Sequence, residues 1–156
     1  MKEDEFTARL EPLKPRLYRT ALLYFGSESK AVDVVDEAVY RAWCKRKQLR
    51  EPAAFESWLT RILINECHSE QRRQSRFRPL EELPEQPVEY YDNLPLKEAV
   101  GKLPEPLKEV VILRYFAGYT QEETAKILNL PRTTVLSYQR RALALLRLEL
   151  GEEVSP

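Results

Sequence analysis

One stretch of this 156-residue chain, Tyr119–Arg147 (YTQEETAKILNLPRTTVLSYQRRALALLR), constrains the fold more than any other. Thr120 is placed to cap a helix, and Glu123 follows three residues later, the reciprocal capping-box spacing. Ala125, Ile127 and Leu128 give that short helix an apolar face. Asn129-Leu130-Pro131 then ends it, because a proline has no backbone N–H for a helix interior yet suits a helix start. A second helix follows over about 132–147, carrying Arg132, Arg140, Arg141 and Arg147 and no acid. A short helix, a tight turn and a basic second helix form a helix-turn-helix, the shape that enters a DNA major groove. Helical hairpins also serve as plain core packing, so the motif alone does not decide between the two.

Composition limits the rest. Glycine occurs only 4 times, and Leu, Ala, Glu, Arg and Lys dominate, which favours an all-α chain. The formal net charge of zero conceals segregation: Arg72–Arg78 holds four arginines and no acid, whereas Glu81–Asp92 holds five acids and no Lys or Arg. Neutrality argues against a nonspecific polycation and leaves room for local basic patches. Cys44 and Cys67 lack paired CxxC spacing and His68 is the sole histidine, so neither a zinc site nor a disulfide framework is expected. The N-terminus MKEDEFTARL is charged throughout, unlike a signal peptide, and no apolar run approaches the roughly 18 residues that span a membrane. The expectation is a soluble, cytoplasmic protein.

The helical period recurs along the chain. Phe6, Leu10, Leu13, Leu17, Leu22 and Phe25 predict a segment over 3–25 that Pro12 and Pro15 bend or divide. Gly26–Ser29 reads as a turn, with Ser27 or Ser29 as a cap. Over 30–47, Val32, Val35, Val39 and Trp43 form the expected apolar stripe, with Asp33, Asp36, Glu37 and Arg41 outside. A third helix is predicted from Pro52 or Ala53 to Arg76. It places Phe55, Leu59, Ile62, Leu63 and Cys67 on one side and Arg61, Asn65, His68, Ser69 and Arg72 on the other. Residues 78–95, with Pro79, Pro84, Pro87 and Pro95 among acids, read as a linker. Helices resume over about 96–103 and 106–117, the latter with an apolar ridge of Leu107, Val110, Val111 and Ile112. The expected organisation is two small helical domains, 1–77 and 96–150, joined by an acidic, proline-rich linker.

No catalytic constellation stands out: there is no Gly-rich phosphate loop, no GxSxG and no histidine pair. An enzyme, a cofactor and a small-molecule substrate are therefore not expected. The third helix is chemically richer. Phe55, Trp58, Arg61, Asn65, Arg72 and Arg73 combine flat rings, an amide and cations, the mixture that single-stranded DNA requires for stacking, base-edge reading and phosphate contact. Phe55 is better placed as core; Trp58 suits either role.

Two segments together resemble a known family. Asp33–Arg73, DVVDEAVYRAWCKRKQLREPAAFESWLTRILINECHSEQRR, is similar to the σ2 domain of extracytoplasmic-function (group 4) sigma factors of bacterial RNA polymerase. Leu103–Arg147, LPEPLKEVVILRYFAGYTQEETAKILNLPRTTVLSYQRRALALLR, is similar to their σ4 domain. The resemblance implies a σ2-like helical bundle and a σ4-like helix-turn-helix domain, with core RNA polymerase (β′ clamp and β flap) and promoter DNA as partners. It implies that Asp33, Asp36, Glu37 and Arg41 dock on the β′ clamp coiled coil. The loop Lys47–Ala54 and the following helix would open and read the −10 element through Trp58, Arg61, Asn65, Arg72 and Arg73, with Asn65 contacting an extruded base. Arg132, Thr133, Thr134, Ser137, Tyr138, Arg140 and Arg141 would meet the −35 duplex. The linker would thread near the RNA exit path.

Many members of the family are held inactive by an anti-sigma factor, often membrane-anchored, so such an inhibitor joins the candidate partners, and localisation extends to the nucleoid or an inhibitor's membrane. Two positions depart from the family: Leu136 stands where a basic or polar residue is usual, and Gln139 where an apolar one is. The tail Ala142–Leu150 is apolar almost all round, which predicts burial against the other module, a second copy or an inhibitor. Rival readings are a helix-turn-helix regulator acting without core polymerase and a protein-binding adaptor with a degenerate sigma-like fold.

Overall fold

Helix capping and apolar spacing account for most of the architecture. A computed structural model describes residues 1–76 and 94–150, and the regular structure there is helical. The elements are α1 (Glu3–Leu10), α2 (Lys14–Phe25), α3 (Glu28–Cys44), α4 (Phe55–Arg76), α5 (Leu94–Gly101), α6 (Glu105–Val111), α7 (Gln121–Leu128) and α8 (Arg132–Leu150). Most of the expected linker, residues 78–93, lies outside the described residues.

The prolines act as expected. A 3-10 turn over Glu11–Leu13 divides α1 from α2, and Pro15 falls in the first turn of α2, where its missing N–H costs nothing. The Ser27 hydroxyl accepts from the Lys30 amide and starts α3. Gly26 ends α2 in the left-handed region at φ 68°, a conformation that glycine adopts freely.

In α3 the buried stripe differs from the expected one. Ala31, Val35, Ala38 and Ala42 are 2%, 1%, 0% and 0% exposed, while Val32 is 42% exposed. The alanines win because α3 packs on both α2 and α4, and small residues allow that close approach. In α4, Phe55, Leu59, Leu63 and Cys67 are buried as expected, and each large one contributes about 1.5–3 kcal/mol. Ile64 is also buried, against a second set of partners described below.

After α6 the chain widens into a π-turn over Ile112–Phe116, where Ala117 N–H reaches back five residues to Ile112 O. Gly118, at φ 82°, then lets Tyr119 N–H close onto Leu113 O, a glycine-terminated helix end. Thr120 and Glu123 form the reciprocal capping box of α7, and Asn129 ends it in the left-handed region. The largest apolar cluster is continuous across both halves, running from Phe6, Leu17 and Leu59 to Val100, Leu107, Val111, Ala142 and Leu146.

Candidate nucleic-acid interface and docking face

The rotation of α8 follows from its buried side. Val135, Ala142 and Leu146 point inward, so Thr133, Ser137, Arg140 and Arg141 form the opposite, exposed face. Thr134 and Tyr138 flank it and are half-buried; Tyr138 packs into the core with its ring 5.9 Å from the Arg141 guanidinium. Arg132 lies on the other flank, 3.4 Å from Glu122 of α7. Gln139 has a partner that explains its polarity: Arg114 Nε donates to Gln139 Oε1 at 3.2 Å, and Arg114 Nη1 donates to Tyr119 O at 2.7 Å. One guanidinium thus ties the π-turn to α8, and Leu136 remains half-buried. The tail of α8 is not buried all round: Leu143, Leu145 and Leu148 are 38%, 38% and 80% exposed.

On α4, Arg61, Asn65 and Arg72 fall within one stripe, since spacings of four and seven residues return to the same helix face. All three are exposed, and so is Arg73, which lies to one side, 3.6 Å from Glu70. Trp58 is half-buried on the same stripe, 6.0 Å from the Phe55 ring. Phe55 is core, 2% exposed. Preceding α4, Arg46 stacks 3.8 Å over the Trp43 ring and donates to Trp43 O, pinning the basic loop of Lys45, Arg46, Lys47 and Arg50.

Asp33, Asp36 and Glu37 are exposed along α3, and Asp36 borders a groove of about 430 Å³ lined also by Tyr18, Val39, Tyr40 and Trp43. Arg41 is occupied internally: its guanidinium lies 3.2 Å from Glu37 and 2.6 Å from Glu66, which is only 5% exposed. It ties α3 to α4.

A polar seam between the two modules escaped the sequence analysis. His68, expected on the exposed face of α4, bonds instead to Glu109 of α6. The Tyr24 hydroxyl donates to Glu105 and, at 3.2 Å, to Glu109; the Lys108 ammonium sits 4.4 Å over the Tyr24 ring. With its amide assigned so that donors meet acceptors, Gln71 donates to Glu105 and accepts from Lys108 Nζ at 3.2 Å. Beside this seam, the hydroxyls of Thr60 and Tyr119 meet at 2.8 Å, and Ile64 of α4 packs into a pocket of Leu113, Ala117, Tyr119 and Ile127. Glu105, Lys108 and Glu109 carry no signal in the sequence; nothing local marks a charge as buried when its partner is some 40 residues away.

The comparisons place this geometry. The model of Sigma-70 region 2 matches residues 10–77, and that of Sigma-70 region 4 matches residues 93–146. The chain is 30% identical to RNA polymerase sigma factor SigV of Bacillus subtilis, over 90% of this chain and 87% of that protein. It is 29% identical to the RNA polymerase sigma-E factor of Streptomyces coelicolor, over 94% and 86%. Among solved structures it is similar to the sigma factor RpoE of Bartonella quintana in complex with the anti-sigma factor NepR. There the TM-score is 0.82 at 26% identity, covering 99% of this chain and 100% of that one. Similarity to CnrH in complex with the cytosolic domain of CnrY, at 23% identity and TM-score 0.71, supports the fold.

Proposed function

We infer the roles of these faces from one premise: the chain belongs to the sigma-70 family and is an RNA polymerase sigma factor of the extracytoplasmic-function kind. It is not an enzyme; it lends specificity to a polymerase that supplies the chemistry. Core RNA polymerase and promoter DNA are its partners, and an anti-sigma factor is a further one, as in the RpoE–NepR pair.

The domain at 1–77 docks and melts, the segment 78–95 tethers, and the domain at 96–150 reads duplex DNA. Asp33, Asp36 and Glu37 offer a line of exposed acid on α3, Glu37 shared with Arg41, suited to a basic surface of the β′ clamp, with the aromatic groove beside Asp36 adding apolar area. Arg41 contributes by holding α3 on α4. On α4, Arg61, Arg72 and Arg73 attract the backbone of the −10 strand, Trp58 offers an edge for stacking, and Asn65 bonds an extruded base. Unstacking that base costs a few kcal/mol, which such contacts recover. On α8, Thr133, Ser137, Arg140 and Arg141 enter the −35 major groove, with Arg132, Thr134 and Tyr138 at its margins. No helix among the described residues is long and apolar enough to cross a membrane. The protein acts in the cytoplasm, at the nucleoid when active and at a membrane through an anchored inhibitor.

The observation that carries this reading is the presence, on one chain, of two separately exposed cationic and polar faces, α4 for single-stranded and α8 for duplex DNA. The test is co-purification with core RNA polymerase followed by run-off transcription on a genomic promoter pool. Stable binding with new, discrete transcripts is the expected outcome; absence of binding by inhibitor-free protein refutes it.

A further inference from the structure

We propose that His68 and Glu109 form a protonation-dependent latch that holds the two modules together, and that raising the pH releases it. The contact joins α4 of the first module to α6 of the second, across the polar seam. Glu109 is 6% exposed and Lys108 5%, so their charges lie largely out of water, where mutual compensation decides whether the seam is stable. A cavity of about 280 Å³, lined by His68, Gln71, Arg72 and Glu105, opens onto the seam and admits water and protons.

The groups around His68 fix the direction. From α6 it faces Glu109 and Glu105, with Lys108 nearby over the Tyr24 ring; from α2, Tyr24, whose hydroxyl shares Glu109; from its own helix, Arg72 one turn on, while the adjacent Cys67 turns into the core. Tyr24 and Cys67 are pushed far above their ordinary values, chiefly by burial, and stay neutral hydrogen-bearing groups. Two carboxylates then face the Lys108 ammonium, with the exposed Arg72 guanidinium at the rim of the cavity, and a protonated His68 places its positive charge directly against Glu109. Polar atoms of His68, Glu105 and Glu109 all lie within 4.8 Å of one another, so the imidazole sits against both carboxylates.

The hydrogen bond to Glu109 raises His68 above the ordinary histidine value near 6.5, against the opposing effect of burial. Separation of the modules removes that carboxylate and returns the imidazole to water. Closing therefore takes up a proton. The stabilisation is complete below the ordinary histidine value and is lost as the pH rises through the raised one. The sole histidine of the chain thus sits where charge on an imidazole changes within the physiological range.

Small-angle X-ray scattering on the full chain, without polymerase or DNA, tests this independently of the sigma-factor reading. The radius of gyration should grow as the pH is raised from about 6 to about 8.5. His68→Gln, neutral at every pH, should be expanded throughout and flat with pH. His68→Arg, permanently charged, should remain compact. Glu109→Gln should flatten the response as His68→Gln does, and far-UV circular dichroism confirms that each variant is folded. A wild-type radius that does not change with pH, or a response of wild-type size that survives in folded His68→Gln or Glu109→Gln, overturns the proposal.

Discussion

Ile64→Ala tests whether the two modules meet at a separable joint. Ile64 is 2% exposed, and its apolar neighbours, Leu113, Ala117, Tyr119 and Ile127, all belong to the second module. The core of its own module is built from other residues of α4, namely Phe55, Leu59, Leu63 and Cys67. Truncation removes three carbons, worth about 2.4 kcal/mol at roughly 0.8 kcal/mol per buried methylene. In the separated form Ile64 is in water, so that loss falls on closure and spares the fold of the first module. About 2.4 kcal/mol weakens closure roughly 50-fold, since 1.4 kcal/mol is a factor of ten. Scattering should show an expanded average shape, and hydrogen exchange should show lost protection around Tyr119 and Ile127, with Leu59 and Leu63 still protected. An unchanged radius together with a uniform loss of protection across α4 would refute the reasoning, because Ile64 would then belong to one indivisible core.

Asn65→Ala should slow promoter opening while leaving affinity for core polymerase unchanged; at about 1–3 kcal/mol per base contact the loss is roughly 5- to 150-fold, read by permanganate footprinting. A fall in core affinity instead would assign Asn65 a structural role. Replacing both Arg140 and Arg141 by Ala should weaken −35 duplex binding and reduce the salt slope by about 2, one per phosphate contact; an unchanged slope would mean that neither meets a phosphate. Thr120→Ala removes a bond at 3.1 Å to Glu123 N and should cost about 1 kcal/mol in urea unfolding, with no loss pointing to a cap that water replaces.

The sequence carried whatever is local. Thr120 with Glu123, Pro131, Gly118 and Ser27 are short-range signals, and each sits where its backbone chemistry placed it. Periodicity found the buried side of α4, and it overstated the burial of the α8 tail, where Leu148 is 80% exposed. It erred where three helices crowd together: valine outranks alanine as an apolar residue, yet Ala31, Ala38 and Ala42 face the close approach and Val32 faces water. It was silent where burial is made by a distant partner. Glu66 looks like surface charge until Arg41 is seen beside it, and His68 reads only as part of the polar side of α4 until Glu109 closes on it. Gln139 belongs to the same class, a departure from its family that Arg114 accounts for.

Closure withholds span rather than access. In the closed arrangement Arg61, Asn65 and Arg72 on α4 and Ser137, Arg140 and Arg141 on α8 all remain exposed, so neither proposed DNA-binding face is masked by the other module. What the seam covers is the neighbouring side of α4, about a quarter-turn away: Thr60, Ile64, His68 and Gln71. Elements centred at −10 and −35 lie about 25 base pairs apart, or about 85 Å at 3.4 Å per base pair. A compact chain of this length is only about 40 Å across. The closed form can therefore meet one element at a time, and simultaneous contact requires the seam to part. Either element alone should bind closed and opened protein alike, while a fragment carrying both should favour variants with a weakened seam. The free energy that holds Ile64, Thr60 and His68 against the second module is thus subtracted from promoter binding, and whatever lowers it, a proton lost or a polymerase surface gained, raises promoter affinity by the same amount.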